Sequence, residues 1–332
     1  MISRVRRVRV FVTGGTGFIG GHLVRRLRER GDDVVALVRS PDKALELERV
    51  GVELVQGDLT DTDAIRRGLD GVDAAVHGAA IYKVGIPKSE HEHMYDTNVR
   101  GTERVLDAGV EAGVPKIVYV STVNVSGNTH GDVVDEGYER STSGNGFLSY
   151  YDETKYKAHQ VARDRIANGA PIVIVQPGGV YGPKDHSEIG NMIGQFRSGR
   201  MPMVPFPDLG FNLVHVDDVA AGTTLALDKG EAGQAYVLGG EISTMRGMLE
   251  KVAQIDGKKP PGRALPTGLI KAIAPAGPVV GKLMGLPPNV KELISASEDV
   301  TYWATDKKAR ERLGYAPRDL ETGLRQTLEA ES

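Results

Sequence analysis

Short apolar runs rich in β-branched residues alternate with longer amphipathic stretches through the first half of the chain. The short runs predict six strands: Val8–Val12, Val34–Val38, Val52–Gln56, Ala74–His77, Ile117–Ser121 and Ile172–Gln176. Apolar residues at helical spacing predict the helices Ile19–Arg30, Pro41–Val50, Thr62–Leu69, His93–Ala112 and Tyr151–Asn168. Several strands are apolar throughout, which is typical of parallel strands buried on both faces. The repeated strand–helix units therefore predict an α/β fold with a doubly wound parallel sheet.

The alternation ends near residue 178, where Pro and Gly become frequent, notably in Met201–Gly210 and Lys258–Pro288. This composition predicts a smaller, loop-rich C-terminal lobe that binds substrate. A further strand and helix in Leu213–Leu227 are expected to return to the sheet. The predicted division is a nucleotide-binding domain of residues 1–177 with 211–230 returning to it, and a substrate lobe of residues 178–210 and 231–332.

Composition removes several classes of function. The 332 residues include no Cys, which excludes disulfides, thiolate catalysis and Cys-ligated metal sites and suits a cytoplasmic location. Net charge is −3, so no basic excess indicates nucleic acid. The apolar run after Arg4, Arg6, Arg7 and Arg9 is too short for a signal peptide. Ala272–Gly281 is too short to span a bilayer and contains two prolines, so we expect no membrane partner.

A glycine-rich turn follows the first predicted strand and leads into the first predicted helix. The turn reads Thr13-Gly14-Gly15-Thr16-Gly17-Phe18-Ile19-Gly20. Gly14 permits a tight turn, Gly17 allows close approach of a pyrophosphate, and Gly20 lets the helix pack near the strand. The phosphates would lie at the positive end of the helix dipole. The context predicts a Rossmann-type dinucleotide site that includes Gly14, Thr16, Gly17, Phe18, Ile19 and Gly20.

The end of the second strand favours NADP(H) over NAD. An NAD site usually has an acidic residue about 20 residues after the glycines, to bind the ribose hydroxyls. Here the strand ends in Arg39, which could instead bind a 2′-phosphate with help from Lys43. Asp58, after the third strand, is placed to contact adenine or to cap a helix. NADP is the predicted cofactor and NAD the second choice.

Tyr151 and Lys155 are four residues apart on a predicted helix and so lie on one face. A neighbouring ammonium and an oxidised nicotinamide would favour the phenolate and lower the pKa of the Tyr for acid–base work. Tyr150 is the alternative register, but the residue four positions after it is Thr154. The fifth strand ends at Ser121-Thr122, where a hydroxyl could polarise a substrate carbonyl.

Two groups of titratable residues have simpler interpretations. Glu90-His91-Glu92-His93 resembles a metal cluster, but residues two apart on a helix face different sides and a third ligand is not evident. We therefore predict no metal site. His77 and His215 are expected to be structural hydrogen-bonding residues.

These motifs together resemble the extended short-chain dehydrogenase/reductase family over almost the whole chain. The matching segments are Thr13–Gly20, Gly57–Leu59, His77–Ala80, Asn98–Thr102, Ser121-Thr122, Tyr151–Lys155, Pro177–Pro183 and His215–Val219. The resemblance implies that Tyr151 is the general acid/base, that Lys155 lowers its pKa and holds the nicotinamide ribose, and that Thr122 orients the substrate oxygen. It also implies catalytic support from Asn98 and cofactor contacts from Leu59, Ala79, Pro177 and Val180. A homodimer through the helices His93–Ala112 and Tyr151–Asn168 is typical of the family.

Departures from the family patterns separate three possible functions. Dehydratases of this family carry Asp-Glu after the catalytic Thr, whereas Val123-Asn124 follows Thr122 here. Phe211 occupies the place of an Arg that grips the diphosphate in many sugar-nucleotide enzymes. The apolar segment Met201–Pro207 suits a hydrophobic small-molecule substrate, or it packs the two lobes together. We predict an NADP(H)-dependent oxidoreductase acting on a carbonyl or alcohol. An NAD-dependent sugar or sugar-nucleotide epimerase is the alternative. A redox sensor that binds NADP is disfavoured by Tyr151 and Lys155.

Overall fold

The computed structural model describes residues 7–141, 146–273 and 287–331. Arg4, Arg6 and most of Ala272–Gly281 lie outside these ranges, so the interpretations that concern them stay predictions. Within the described ranges, every helix is too short or too polar to cross a membrane.

A central parallel sheet organises the chain. The strands in the described ranges are β1 Arg9–Thr13, β2 Asp33–Val38, β3 Glu53–Gln56, β4 Ala74–His77, β5 Ile117–Val120, β6 Ile172–Pro177, β7 Gly179–Tyr181, β8 Gly210–His215, β9 Ala235–Leu238 and β10 Glu241–Thr244. Seven of them pair in parallel in the order β3-β2-β1-β4-β5-β6-β9. This order confirms the predicted doubly wound α/β fold.

Helices cover both faces of this sheet. They are α1 Phe18–Arg30, α2 Leu45–Arg49, α3 Thr62–Leu69, α4 His91–Tyr95, α5 Gly101–Glu111, α6 Tyr150–Ala167, α7 Glu188–Arg197, α8 Val216–Lys229, α9 Met245–Ile255, α10 Thr267–Ile273, α11 Val290–Ser295, α12 Lys307–Leu313 and α13 Leu320–Ala330. Helices α1 and α8 pack on one face, and α3, α5 and α6 pack on the other.

Strand β1 shows why the fold requires cover on both faces. Val10 and Val12 point into the layer with α1 and α8, while Phe11 between them points into the opposite layer. All three side chains have 0% exposure. Burying each of these side chains contributes about 1.5–3 kcal/mol. A strand that is apolar at every position therefore stabilises the layers on both faces of the sheet.

Two predicted helices are divided in the structure. Pro41–Val50 becomes a 3₁₀ turn, Pro41–Lys43, followed by the short helix α2. His93–Ala112 begins earlier, at His91, and a π-turn at Asp96–Arg100 separates α4 from α5. The Thr102 hydroxyl donates to the Asn98 carbonyl at 2.7 Å, which supplies a partner where the helical ladder changes register.

The prediction that Leu213–Leu227 returns to the main sheet is only half right. Helix α8 does pack on the sheet, against α1. Strand β8 instead joins a second sheet, parallel to β7 and antiparallel to β10. The seventh strand of the main sheet is β9, which lies in the segment predicted to belong to the substrate lobe. An apolar run shows that a strand is buried but not which sheet it joins.

The second sheet has its own core. Helices α7, α9 and α13 pack against it through Ile193, Leu249 and Leu324, which are almost fully buried. The first residue of α7, Glu188, accepts a hydrogen bond from Tyr82 in the loop after β4. The predicted boundaries at residues 177, 210 and 230 stay predictions.

Candidate active site

The glycine-rich turn forms a cradle between β1 and α1. Gly14 has φ +80°, and a Cβ there would lie 2.8 Å from the Ala79 nitrogen. A Cβ on Gly20 would lie 2.0 Å from the Gly14 carbonyl oxygen. Among the described residues, no side chain caps α1, whose Ncap is Gly17. The first amides of the helix therefore stay available to an anion. This backbone fits the pyrophosphate of a dinucleotide.

The other predicted residues of the turn lie around this cradle. Thr16 is exposed on the loop, and Phe18 and Ile19 form the first turn of α1. The Ala79 amide donates to the Thr13 hydroxyl at 3.3 Å, which ties the loop after β4 to the glycine turn.

Arg39 and Asp58 line one surface cavity at the ends of β2 and β3. The cavity has a volume of about 760 Å³, and its wall includes a residue that the sequence analysis missed, Arg67. Lys43 is described but does not line it. The Asp58 carboxylate accepts from the Thr60 amide at 2.8 Å and from its hydroxyl at 2.6 Å, and these bonds lower its pKa, with a contribution from Arg39.

Asp58 therefore stabilises a turn rather than a helix end. The helix cap is Asp61, which accepts from the Ala64 amide at 2.9 Å. Leu59, next to Asp58, is buried in the layer beneath α3 and α5.

Tyr151 lies in the first turn of α6 with 7% of its surface exposed. Ser149 caps this helix by accepting from the Asp152 amide at 3.0 Å. The Thr122 side chain, at the end of β5, lies near enough to the Tyr151 hydroxyl to act on its pKa, and its own hydroxyl donates to Asn124 Oδ1 at 3.2 Å. Burial raises the pKa of Tyr151 above its ordinary value, and Thr122 opposes this. The two predicted hydroxyl groups thus meet in space.

The structure also distinguishes Thr122 from its neighbour. The Ser121 hydroxyl lies 2.9 Å from His159 Nδ1, on the buried side of α6. Thr122 caps the 3₁₀ turn Val123–Ser126 through the Asn124 amide. Only one hydroxyl of the pair therefore faces Tyr151.

Lys155 is 4% exposed, and its ammonium donates to the Val120 carbonyl at 3.1 Å and to the Tyr119 hydroxyl at 3.3 Å. Burial lowers the pKa of Lys155 to about 8. In the chain alone burial raises the pKa of Tyr151. The expected lowering by Lys155 together with the positive charge of an oxidised nicotinamide stays a prediction for the enzyme with cofactor bound.

Asn98 lies in the π-turn and hydrogen-bonds two neighbouring segments, the loop after β4 and helix α6. Its side chain accepts from the Ile81 amide at 2.7 Å and donates to the Ile81 carbonyl and to the Thr154 hydroxyl, both at 3.0 Å. Asn98 thereby fixes the loop after β4 relative to the helix that carries Tyr151. These contacts make it a positioning residue.

Pro177 and Val180 lie at the adjoining ends of β6 and β7. Pro177 is buried, and Val180 is partly exposed beside the core that includes α1. Both are near the carboxyl edge of the sheet, as a role in a nicotinamide pocket requires.

His77 and His215 have the expected structural hydrogen bonds, and His91 has a ring contact. His77 lies 2.7 Å from the Thr13 hydroxyl and 3.0 Å from that of Thr102, and burial lowers its pKa to about 3. His215 accepts from the Asp217 amide at 3.2 Å, and burial lowers its pKa to about 4. His91 stacks on Tyr150, with ring centroids 3.7 Å apart. The described residues contain no group of three or more potential metal ligands.

Sequence reasoning missed two residues beside Tyr151. The Tyr82 ring meets the Tyr151 ring edge-on, with centroids 4.8 Å apart. Its hydroxyl donates to Glu188 Oε2 at 2.6 Å. Tyr82 follows the His77–Ala80 motif closely, which was an available signal. Glu188 is a lone acid at the start of a helix, where the sequence offered no signal.

The apolar segment Met201–Pro207 mainly packs the second lobe. Val204 is fully buried, and Phe206 contacts two hydrophobic clusters. These two residues support the packing interpretation, whereas Met203 in the same segment is exposed, so the substrate interpretation of the segment stays a prediction. Phe211 stacks on Tyr302 with centroids 6.2 Å apart. An aromatic pair thus occupies the position at which many sugar-nucleotide enzymes have a diphosphate-binding Arg.

A model of the NAD dependent epimerase/dehydratase family matches residues 10–239, more than half of the chain. The chain belongs to this family. The match confirms the resemblance to extended short-chain dehydrogenases/reductases and assigns the chain to an NAD(P)-dependent group of oxidoreductases and epimerases that act on small molecules.

The named relatives include reductases, and the solved structures with the same fold include an epimerase. A "putative dihydroflavonol 4-reductase" of Synechocystis sp. is 33% identical over 309 residues, 91% of this chain and 88% of the relative. A "2-alkyl-3-oxoalkanoate reductase" of Stenotrophomonas maltophilia is 31% identical, covering 96% of this chain and 98% of the relative. A crystal structure of a UDP-glucuronic acid 4-epimerase mutant from Bacillus cereus with NAD superposes with TM-score 0.79 at 22% identity, covering 97% of this chain and 98% of that one. The last likeness shows the shared fold.

Proposed function

We propose that the protein is an NADP(H)-dependent oxidoreductase that interconverts the carbonyl and alcohol of a small, hydrophobic metabolite. The observation that carries this proposal is the proximity of Tyr151 to Thr122, which follows the carboxyl end of β5. In these roles they would supply a proton donor and an orienting hydroxyl at the edge of the sheet that holds the glycine cradle. Reductase-named relatives that cover most of the chain support it.

In this mechanism Thr122 holds the substrate oxygen and Tyr151 gives it a proton as the alcohol forms. Burial raises the pKa of Tyr151, so the phenol is protonated at neutral pH, and the positive charge of an oxidised nicotinamide would lower that pKa toward the range in which acid–base catalysis works. Lys155 would hold the nicotinamide ribose, and the cradle of Gly14, Gly17 and Gly20 would hold the pyrophosphate. When bound, NADPH supplies the hydride that reduces the carbonyl carbon and is oxidised to NADP⁺.

The preference for NADP(H) rests on Arg39. Its side chain lines the cavity after β2 together with Arg67, so two cations are available for a 2′-phosphate. We infer that Asp58 contacts the adenine from the same cavity. Calorimetric titration with NADPH and NADH tests this part of the proposal. Tighter binding of NADPH is expected, and a preference for NADH would contradict it.

Tyr151→Phe tests the chemistry. The variant keeps the ring against Tyr82 but removes the proton donor, so turnover should fall by about 10²–10⁴-fold, the usual worth of a general acid. Affinity for NADPH should change little. The assay follows NADPH oxidation with a panel of aldehydes and ketones. Near-normal turnover would refute the role of Tyr151.

An NAD-dependent epimerase is the second candidate, favoured by the structural likeness to the UDP-glucuronic acid 4-epimerase. Phe211, stacked on Tyr302, speaks against a diphosphate at its position because neither ring can pair with an anion. NAD(H) retained through purification would move this candidate to first place. The redox-sensor candidate has no feature of the site in its favour.

Homodimer formation through α5 and α6 and a cytoplasmic location stay proposals from the family resemblance.

A further inference from the structure

A cavity of about 870 Å³ lies along the second half of α6, and we call it the α6 cavity. Its wall is formed by α6 from Tyr156 onward, by the segment 135–140, by Gln176 in β6 and by the start of β9. Small-molecule sites have volumes of about 300–1,000 Å³. None of the residues assigned above to the cofactor or to catalysis, all of which the structure describes, belongs to this wall. The α6 cavity is therefore a separate place with room for a small ligand.

The Gln176 side chain in this wall lacks a hydrogen-bond partner. Gln176 is 4% exposed, and its Oε1 accepts no hydrogen bond from the described residues. A buried acceptor without a donor is costly, so a ligand that brings an N–H or O–H group to Gln176 would gain affinity. Ordered water commonly fills this role in proteins. Gln176 therefore indicates a donor at this position, and the charges around it indicate which kind.

Two of the three basic side chains in the wall of the α6 cavity are already in ion pairs. Arg140 Nη1 lies 2.6 Å from Asp152 Oδ1. Arg163 Nη2 lies 3.2 Å from Glu139 Oε1. These two guanidinium groups are therefore already neutralised by carboxylates and contribute little attraction for an anion.

The remaining charged groups of the wall are mainly carboxylates, those of Asp135, Glu136 and Asp164. The first two accept from backbone amides at 2.9 and 2.8 Å, and no Lys, Arg or His in the described ranges forms an ion pair with any of the three. Lys308 is the one basic residue of the described wall outside an ion pair. The unpaired groups therefore carry a net negative charge, which favours a cationic ligand over an anionic one.

We propose that the α6 cavity binds an organic cation with N–H donors, of the class of aliphatic diamines and polyamines. One N–H group would donate to Gln176 Oε1, and a charged nitrogen would lie near Asp135 and Asp164. Tyr138, which is 42% exposed in the same wall, adds an aromatic ring of the kind that attracts ammonium groups. This site goes beyond the reductase function and does not depend on it.

Diaminohexane and hexanediol provide the test, because they share one carbon chain and differ in the charge of their end groups. Both are titrated calorimetrically into the full-length protein at about 0.15 M salt, which screens exposed charges beyond about 8 Å. The variants are Gln176→Leu, which removes the acceptor, and Asp164→Asn, which removes a charge from the wall. The matched control is Asp63→Asn, the same change at a carboxylate on α3 whose side chain is 84% exposed.

The wild type should bind one diaminohexane and no hexanediol. Gln176→Leu should weaken diaminohexane binding about tenfold, the worth of a hydrogen bond from a charged donor. Asp164→Asn should weaken it by about two- to fivefold, and Asp63→Asn should leave it unchanged. If Gln176→Leu fails to fold, as judged by its Tm, the comparison of Asp164→Asn with Asp63→Asn decides. Absence of diaminohexane binding, equal binding of the diol, or equal losses in the two Asp variants would overturn the proposal.

Discussion

Replacing Arg140 with Met tests whether a buried ion pair holds the start of the helix that carries Tyr151. Arg140 Nη1 lies 2.6 Å from Asp152 Oδ1, and the two side chains are 5% and 1% exposed. The other carboxylate oxygen of Asp152 accepts from the Leu148 amide at 2.9 Å. The guanidinium also lies over the Phe147 ring, 5.0 Å from its centroid. The pair therefore anchors the chain on both sides of Tyr151.

The magnitude follows from burial. Removing one partner of a buried ion pair costs about 3–5 kcal/mol, because the remaining charge stays out of water without a counterion. Burial already raises the pKa of Asp152, and Arg140 is the main group that opposes this. With an unfolding entropy of about 2.1 cal/mol/K per residue, 1 kcal/mol corresponds to a shift in Tm of roughly 1.4 °C for 332 residues. We expect Arg140→Met to lower Tm by about 4–7 °C at pH 8.

The sign of the pH dependence provides a second check. Without Arg140, the pKa of Asp152 in the folded state should rise further above its unfolded value. The stability lost in Arg140→Met should therefore be greatest at neutral and alkaline pH. The loss should shrink as the pH falls and Asp152 becomes protonated. Arg140→Met combined with Asp152→Asn should recover part of the lost stability, because it removes the buried charge.

Thermal unfolding followed by circular dichroism at pH 5 and pH 8 measures these effects. The matched control is Arg163→Met, which breaks an ion pair with Glu139 whose side chains are 50% and 76% exposed. Such surface pairs contribute at most about 1 kcal/mol. If Arg140→Met and Arg163→Met unfold at the same temperature, the reasoning about the buried pair is wrong.

Two further predictions concern the cofactor and the pH profile. Arg39→Asp should weaken NADPH binding by at least about tenfold more than NADH binding, because a charge-assisted bond to phosphate is worth about 1.5–3 kcal/mol. Calorimetric titration measures both affinities, and equal losses would reject the phosphate contact. The kcat/KM for ketone reduction should fall as the pH rises through about 8, because the lowered pKa of Lys155 makes its ammonium lose its proton there. The arginine in Lys155→Arg keeps its positive charge, so the fall in kcat/KM should move to higher pH in this variant. If the fall stays at the same pH, it belongs to the titration of another group.

Much of the fold was readable from local patterns. The six predicted strands all exist within one or two residues of their expected bounds, and so do the helices α1, α3 and α6. Each buries its own apolar stripe or run, so local spacing carries the information. The glycine cradle was also predictable, because a tight turn and close packing of a helix on a strand require glycines at these positions. In the structure, a Cβ on Gly14 or Gly20 would collide with neighbouring backbone atoms.

Contacts between distant segments were not readable in this way. Strand β8 was assigned to the wrong sheet, since a buried strand has the same pattern in either sheet. The catalytic support expected of Asn98 stays a prediction, and its bond to Ile81, 17 positions earlier, was not foreseen. The expected action of Lys155 on Tyr151 also stays a prediction, and the bonds of its ammonium to Val120 and Tyr119 were not foreseen. Hydrogen-bond partners depend on how elements pack, and a single sequence does not encode that locally.

The sequence by itself determined the elements and the chemical groups: the buried parallel strands, the glycine turn, and the reactive types at positions 122, 151 and 155. These follow from periodicity and from residue chemistry, which are properties of short segments. Tertiary structure alone decided that Thr122 rather than Ser121 lies by Tyr151, and that Glu188 accepts a hydrogen bond from Tyr82, whose ring contacts Tyr151. Both outcomes depend on the relative placement of segments brought together by long-range packing, and that placement sets the distances at which groups act on one another.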